Sequence, residues 1–180
     1  MYPRTVENGG GERLTFVEVI RDGDTDRMNA SMVAMPGAGP PMHVHHLQEE
    51  AMVVVSGKLG YQRPGQPPQY AAPGETVVFA PGEAHRWWNA GQSELHATGW
   101  AKPALNIEYF LTALFESTKR NGGKRPALFD AVFLTRRYRS EFGLLAIPAP
   151  VQAFVFPVVL ALGYLLGKYS RYNDAPPPVA

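Results

Sequence analysis

The sequence predicts an all-β domain, a sandwich or barrel of short antiparallel strands, followed by a C-terminal α-helical extension. Three observations predict it. Eighteen glycines and 17 prolines in 180 residues exceed the roughly 12% usual for the two together. They are spread along a chain that is 45% hydrophobic, which suits many strands and tight turns rather than disorder. Up to about residue 102, runs rich in Val, Ile, Thr and Phe alternate with Gly, Pro and Asp turns. Beyond it, apolar residues recur at helical spacing.

In chain order, Leu14–Arg21 reads as a strand that Asp22-Gly23-Asp24 ends, and Asn29–Met35 as a second, closed by Pro36-Gly37-Ala38-Gly39-Pro40-Pro41. Met42–His46, Glu50–Ser56 and Lys58–Arg63 follow. Residues 64–68, Pro-Gly-Gln-Pro-Pro, form a loop before Gln69–Ala72, Thr76–Ala80, His85–Asn89 and Glu94–Trp100. Eight or nine strands at near-regular spacing point to an antiparallel sandwich or barrel, placed at residues 12–102. The acidic run Asp22/Asp24/Asp26 is a turn and not a calcium loop, because Gly falls at its second position rather than the sixth and Val33 occupies the twelfth. In the extension, residues 103–180, Ile107, Phe110, Leu111, Leu114 and Phe115 predict a helix over 106–118 that Asn121-Gly122-Gly123 stops. Pro126 opens a second helix with Leu128, Phe129, Val132, Phe133 and Leu134 as its apolar stripe. The tail, with Pro176-Pro177-Pro178, reads as extended and disordered.

A net charge of +1 argues against nucleic acid as a partner. Zero cysteines exclude disulfides, thiolate metal sites and a cysteine nucleophile, so any metal must sit on nitrogen and oxygen ligands. The first twelve residues carry no apolar run of the kind a secretory signal needs, which predicts a cytoplasmic protein and makes the sequon Asn29-Ala30-Ser31 accidental.

Residues 144–167 are the exception to this picture. They carry no charge, and only Gln152 and Tyr164 are polar. As one helix they are long enough for the ~30 Å hydrocarbon layer of a bilayer. Lys119, Arg120, Lys124, Arg125, Arg136, Arg137 and Arg139 upstream, against Lys168 and Arg171 downstream, orient such a span with the barrel in the cytoplasm. Tyr164, Tyr169 and Tyr172 would lie near the interface. Pro148, Pro150 and Pro157 oppose the span by delaying and kinking the helix. The alternatives are a helix buried between subunits or packed across Phe110, Phe115 and Phe133, and a membrane-surface lid aided by Arg136, Arg137 and Arg139.

Four of the five histidines fall in two short blocks. On a strand, His43 and His45 share one face and His46 takes the other. A neighbouring strand can add a carboxylate and a third imidazole, a donor set that leaves coordination positions open. The first block runs Gly37, five residues, His43-Val44-His45, four residues, Glu50, six residues, Gly57. The second runs Gly74, seven residues, Gly82, two residues, His85, three residues, Asn89. These blocks resemble the two motifs of the cupin superfamily, departing only where Ala80 stands in place of the usual proline, with Pro81 next. The resemblance covers about residues 30–100. It implies a cupin jelly-roll β-barrel with one divalent transition metal inside, held by His43, His45, Glu50 and His85. It also implies a homodimer joined through sheet faces, for which an outward Trp88 is a candidate contact. Glu49 rivals Glu50 for the acidic position, and motif spacing favours Glu50. His96 matches no motif position and reads as an ordinary half-buried histidine.

Fe, Mn, Ni, Cu, Co and Zn all accept three imidazoles and a carboxylate. By alternation from His85 and Glu50, Trp87 and Asn89, and Met52 and Val54, face inward, with Val33 or Met35 nearby. Met52, Val54 and Trp87 form an apolar cup that suits a small apolar or aromatic substrate anchored to the metal by an oxygen. The leading reading is dioxygenase-type chemistry with Glu50 as the candidate base. The others are redox-neutral isomerisation, cyclisation or decarboxylation, and ligand binding or sensing without catalysis.

Overall fold

A computed structural model describes residues 1–179. Its strands are β1 (Arg4–Glu7), β2 (Glu12–Asp22), β3 (Thr25–Ala34), β4 (His43–His45), β5 (Glu49–Ser56), β6 (Leu59–Gln62), β7 (Gln69–Ala71), β8 (Thr76–Phe79), β9 (Arg86–Asn89), β10 (Leu95–Lys102) and β11 (Phe142–Leu144). Its α-helices are α1 (Ile107–Arg120), α2 (Leu128–Arg137) and α3 (Phe156–Leu165). One sheet has the order β1-β2-β3-β10-β5-β8. Facing it are a three-stranded sheet, β7-β6-β9, and a pair, β11-β4. An isolated bridge between His43 and His85 joins these two pieces into one face of a jelly roll.

Alternation sets the interior. Ala34 of β3 and Met52 and Val54 of β5 are buried around Leu59, Phe79, Trp87 and Leu95, and Met28 of β3 is buried in a second cluster. Val33 and Met35, expected near the site, have the opposite parity: Met35 is exposed, and Met32 and Ala30 take the inward places. The β2–β3 hairpin turns at Gly23-Asp24, where Arg21 donates to both carbonyls, so the acidic run is indeed a turn.

The helices close the barrel rather than trail from it. Ile107, Phe110 and Phe115 of α1 pack with Leu14, Phe16 and Met28 in one core. Two strands lie outside the span expected for the barrel. β1 adds an edge beside β2, and β11 pairs with β4 in the register Phe142↔His45 and Leu144↔His43. The tail is extended but held in place. Arg137 and Tyr138 donate to the Pro176 carbonyl, and Asn106 Nδ2 to that of Pro177. The Val179 N–H donates to Glu141 Oε1. Glu141 is fully buried and also accepts the Asn106 N–H and Nδ2, so its charge sits at the N-terminus of α1, where the helix dipole favours an anion.

The apolar segment 144–167 does not form one long helix. A π-helical turn, Val151–Val155, precedes α3, and the Phe156 N–H reaches back to the Val151 carbonyl. This widened turn sits immediately before Pro157, which has no N–H to continue an α-helical ladder. Val151 to Leu165 spans only about 22 Å at 1.5 Å per residue. Among the described residues, no helix is long and apolar enough to cross a membrane. Instead α3 lies on α2. Gly163 faces the Tyr169 ring so closely that a Cβ there would come within 2.2 Å of its hydroxyl. Tyr169 and Tyr172, expected at a lipid interface, are buried against Phe133 at ring distances of 4.8 and 4.7 Å.

Candidate metal centre

β4 carries His43 and His45 on one face. The chain then bends at His46-Leu47, so the next strand begins with its parity reset. That bend separates the two neighbouring glutamates. Glu49 points away and accepts a hydrogen bond from Trp100 Nε1 at 2.9 Å. Glu50 enters the histidine cluster, its Oε2 lying 2.9 Å from His85 Nε2, 3.2 Å from His45 Nε2 and 3.7 Å from His43 Nε2. One ligand atom from each of His43, His45, Glu50 and His85 lies within 4.8 Å of every other. His46 is exposed, and His96 pairs with Glu94 far from the cluster.

The outer nitrogens explain why the inner ones converge. His43 Nδ1 faces the Pro41 carbonyl at 2.9 Å, and His85 Nδ1 the Glu83 carbonyl at 2.9 Å. His45 Nδ1 faces Gln48 Oε1 at 3.0 Å. Gln48 is itself fixed, because its amide nitrogen donates to the carbonyls of Pro103 and Ala104. All three partners only accept, so each imidazole carries its proton on Nδ1 and turns the Nε2 lone pair inward. Phe79 stacks on His85 with ring centroids 3.7 Å apart, and Phe142 meets His45 edge-on at 5.2 Å.

Three inward lone pairs around a carboxylate form a donor set that repels itself unless a cation lies between. Burial lowers the pKa of His45, disfavouring the imidazolium that would otherwise relieve the repulsion, although Glu50 opposes this. Burial pushes the Glu50 carboxyl up, but positive charge placed among the imidazoles, as protons on His45, His43 and His85, outweighs it and holds the group well below the usual carboxylate range, so the site favours a carboxylate with a cation beside it. The residues therefore fit a divalent transition metal chemically.

The cluster opens into a cavity of about 310 Å³. Its lining includes His43, His45 and Glu50, Met52 and Trp87 of the barrel, Phe16 and Met28 of the large sheet, and Phe110 and Leu114 of α1. Val54, expected in the cup, is buried in the core and not among the lining residues. Asn89 is structural: its amide donates to the carbonyls of Ala34 and Ser93. Glu12 is a polar lining group that sequence reasoning missed. It accepts from Asn8, and burial raises its pKa. Trp88 faces out of the barrel, where it covers Gly60 and lies beside Tyr70 and Arg86.

A closed double sheet with this histidine and glutamate constellation defines a jelly-roll barrel of the cupin type. Residues 30–99 match the family model described as Cupin domain, so this part of the chain is a cupin domain. No curated protein matches it. Among solved structures, the chain is similar to an uncharacterised conserved protein with a double-stranded β-helix domain from Klebsiella pneumoniae subsp. pneumoniae, at 21% identity and a TM-score of 0.41, over 47% of this chain and 69% of that one. It is similar to the polyketide cyclase RemF from Streptomyces resistomycificus at 20% identity and a TM-score of 0.46, over 55% and 72%. A cupin-like protein from Thermotoga maritima shows 20% identity and a TM-score of 0.46, over 58% and 80%.

Proposed function

We propose that this protein is a metal-dependent enzyme acting on a small, largely apolar or aromatic molecule, with dioxygenase-type chemistry as the leading reaction. The observation that supports it is a four-donor cluster whose His43, His45 and Glu50 line an apolar cavity of about 310 Å³. His43, His45, Glu50 and His85 would hold the ion. When bound, a divalent transition metal supplies Lewis acidity toward a substrate oxygen and, if redox-active, reactivity with O₂. The chain's own residues do the rest. The Pro41, Gln48 and Glu83 carbonyls keep the imidazoles in one tautomer. Phe110, Leu114, Met52 and Trp87 exclude water and hold the substrate's apolar body. Glu50 is the candidate base. In the ring- or chain-cleaving dioxygenase reaction proposed, both oxygen atoms of O₂ would enter the organic product and the substrate itself would supply the four electrons that reduce them, so no external reductant is required.

Elemental analysis of the native protein beside a His43→Ala/His85→Ala variant tests the metal. The expected result is near-stoichiometric transition metal in the first and little in the second; equal metal in both refutes the assignment. Oxygen uptake with phenols, flavonols or diketones then separates the readings. Turnover that proceeds equally without air favours a redox-neutral isomerase, cyclase or decarboxylase. Binding without turnover in either atmosphere favours a sensor.

A further inference from the structure

The helix α3 presents an unusual surface. Its inner face is Phe156, Val159, Leu160 and Gly163, packed toward α2 and Tyr169. Its outer face, continued back into the π-helical turn that carries Phe154, is apolar as well. Phe154, Val158, Leu162 and Leu165 follow one another at about one turn each and are 77%, 58%, 47% and 82% exposed. Single exposed leucines are ordinary, but a continuous ridge of them is not.

The charges around the ridge all have one sign. Between residues 142 and 173 there is no aspartate or glutamate. Arg136 and Arg139 are exposed and, with Leu160 and Tyr164, line a cavity of about 330 Å³ on the flank of α3. Lys168 stands exposed just past the end of the helix. None of these three cations makes an ion pair among the described residues. Asp130, the nearby acid on α2, is buried and already engaged by Arg120 and Arg171. A second copy docked on the same ridge by two-fold symmetry would set these cations against their own equivalents. An anionic lipid surface instead meets both features, the acyl boundary taking the ridge and the phosphates taking the arginines.

We propose that α3 is a peripheral membrane-docking helix that lies in the plane of an anionic bilayer surface, with Phe154, Val158, Leu162 and Leu165 inserted and Arg136 and Arg139 on lipid phosphates. The inference stands independently of whether the barrel is an enzyme.

Co-sedimentation of the full chain with vesicles tests it, using phosphatidylcholine alone and phosphatidylcholine mixed with phosphatidylglycerol. The expected result is binding to the mixed vesicles, weakened by added salt. Leu162→Glu/Leu165→Glu lowers partitioning by on the order of tenfold or more. Arg136→Glu/Arg139→Glu removes the preference for phosphatidylglycerol. Both variants alter exposed positions, so an unchanged thermal melt establishes that they fold. Two results overturn the proposal. One is partitioning of the wild type no greater than that of the leucine variant. The other is a concentration-dependent dimer in solution that the leucine variant abolishes while vesicles have no effect, which identifies a second copy as the occupant.

Discussion

Two regions of this molecule break the ordinary rule of burial in opposite directions. Inside the barrel, three imidazoles and a carboxylate occupy places where a closed sheet normally holds Val, Leu or Phe. On α3, Phe154, Val158, Leu162 and Leu165 occupy places where a surface helix normally holds Lys or Glu. The interior departure is reinforced on every side: Phe79 stacks on His85, Phe142 abuts His45, and each Nδ1 has an acceptor. The exterior departure has no such support within the chain. A polar group held rigidly inside is arranged to grip something small. An apolar face left unsupported outside fits contact with something large and soft.

The largest effects come from breaking the buried polar supports on the interior side of this contrast. Glu141 accepts from the Asn106 N–H, Asn106 Nδ2 and the Val179 N–H while fully buried. Glu141→Ala leaves these donors short of partners and frees the tail, which costs about 3 kcal/mol of stability. Chemical denaturation checks it, and a loss below about 1 kcal/mol means that water replaces the carboxylate. Next comes Gln48→Leu, which keeps the bulk but removes the acceptor that orients His45. Affinity for the proposed metal falls roughly 10- to 100-fold, read by competition with a chelator, while the melt of the metal-free protein changes little. An unchanged affinity shows that Gln48 only anchors the chain to Pro103 and Ala104.

What the sequence disclosed follows the same division. The strands were legible because glycine and proline mark their ends, and the four clustered side chains because their spacing matches a motif. Gln48 and Phe79 gave no signal, since one polar and one aromatic residue in or beside a strand look alike whether or not they touch a histidine. β1 and β11 are four and three residues long, too short for periodicity, and β11 finds its partner about a hundred positions earlier in the chain. The Pro-rich tail read as disordered because its anchors are mostly backbone carbonyls, which every residue carries. The 144–167 segment was legible as apolar but not as broken. Three prolines argued for interruption, and only the fold places a π-turn before Pro157 and turns Tyr169 and Tyr172 inward.

A smaller effect is expected at Glu12, on the cavity wall. Burial raises its pKa above 4.5, with Asn8 and His43 opposing. The folded protein therefore holds this proton more tightly than the unfolded chain does. The resulting stabilisation is complete below about pH 4.5 and is lost as pH rises through the folded-state value. Glu12→Gln mimics the neutral carboxyl, so the chelator-treated variant should match the wild type near pH 4 and exceed it in melting temperature near pH 7. A wild type that instead gains on the variant between those values has an ionised Glu12 stabilised by a neighbouring cation.

The smallest effect is the sharpest test of the contrast between core and ridge. Leu134 is 0% exposed in the core formed by α1, α2 and the barrel, whereas Leu165 is 82% exposed at the end of α3. Truncating a buried leucine removes its transfer energy and leaves a cavity, together about 2–5 kcal/mol. Truncating an exposed one removes neither, so Leu165→Ala changes stability by no more than about 0.5 kcal/mol. The two substitutions delete the same atoms, and any difference between them measures only what surrounds each side chain. If denaturation shows Leu165→Ala costing as much as Leu134→Ala, then α3 is covered in the isolated protein, and its ridge is part of a core rather than a surface waiting for a partner.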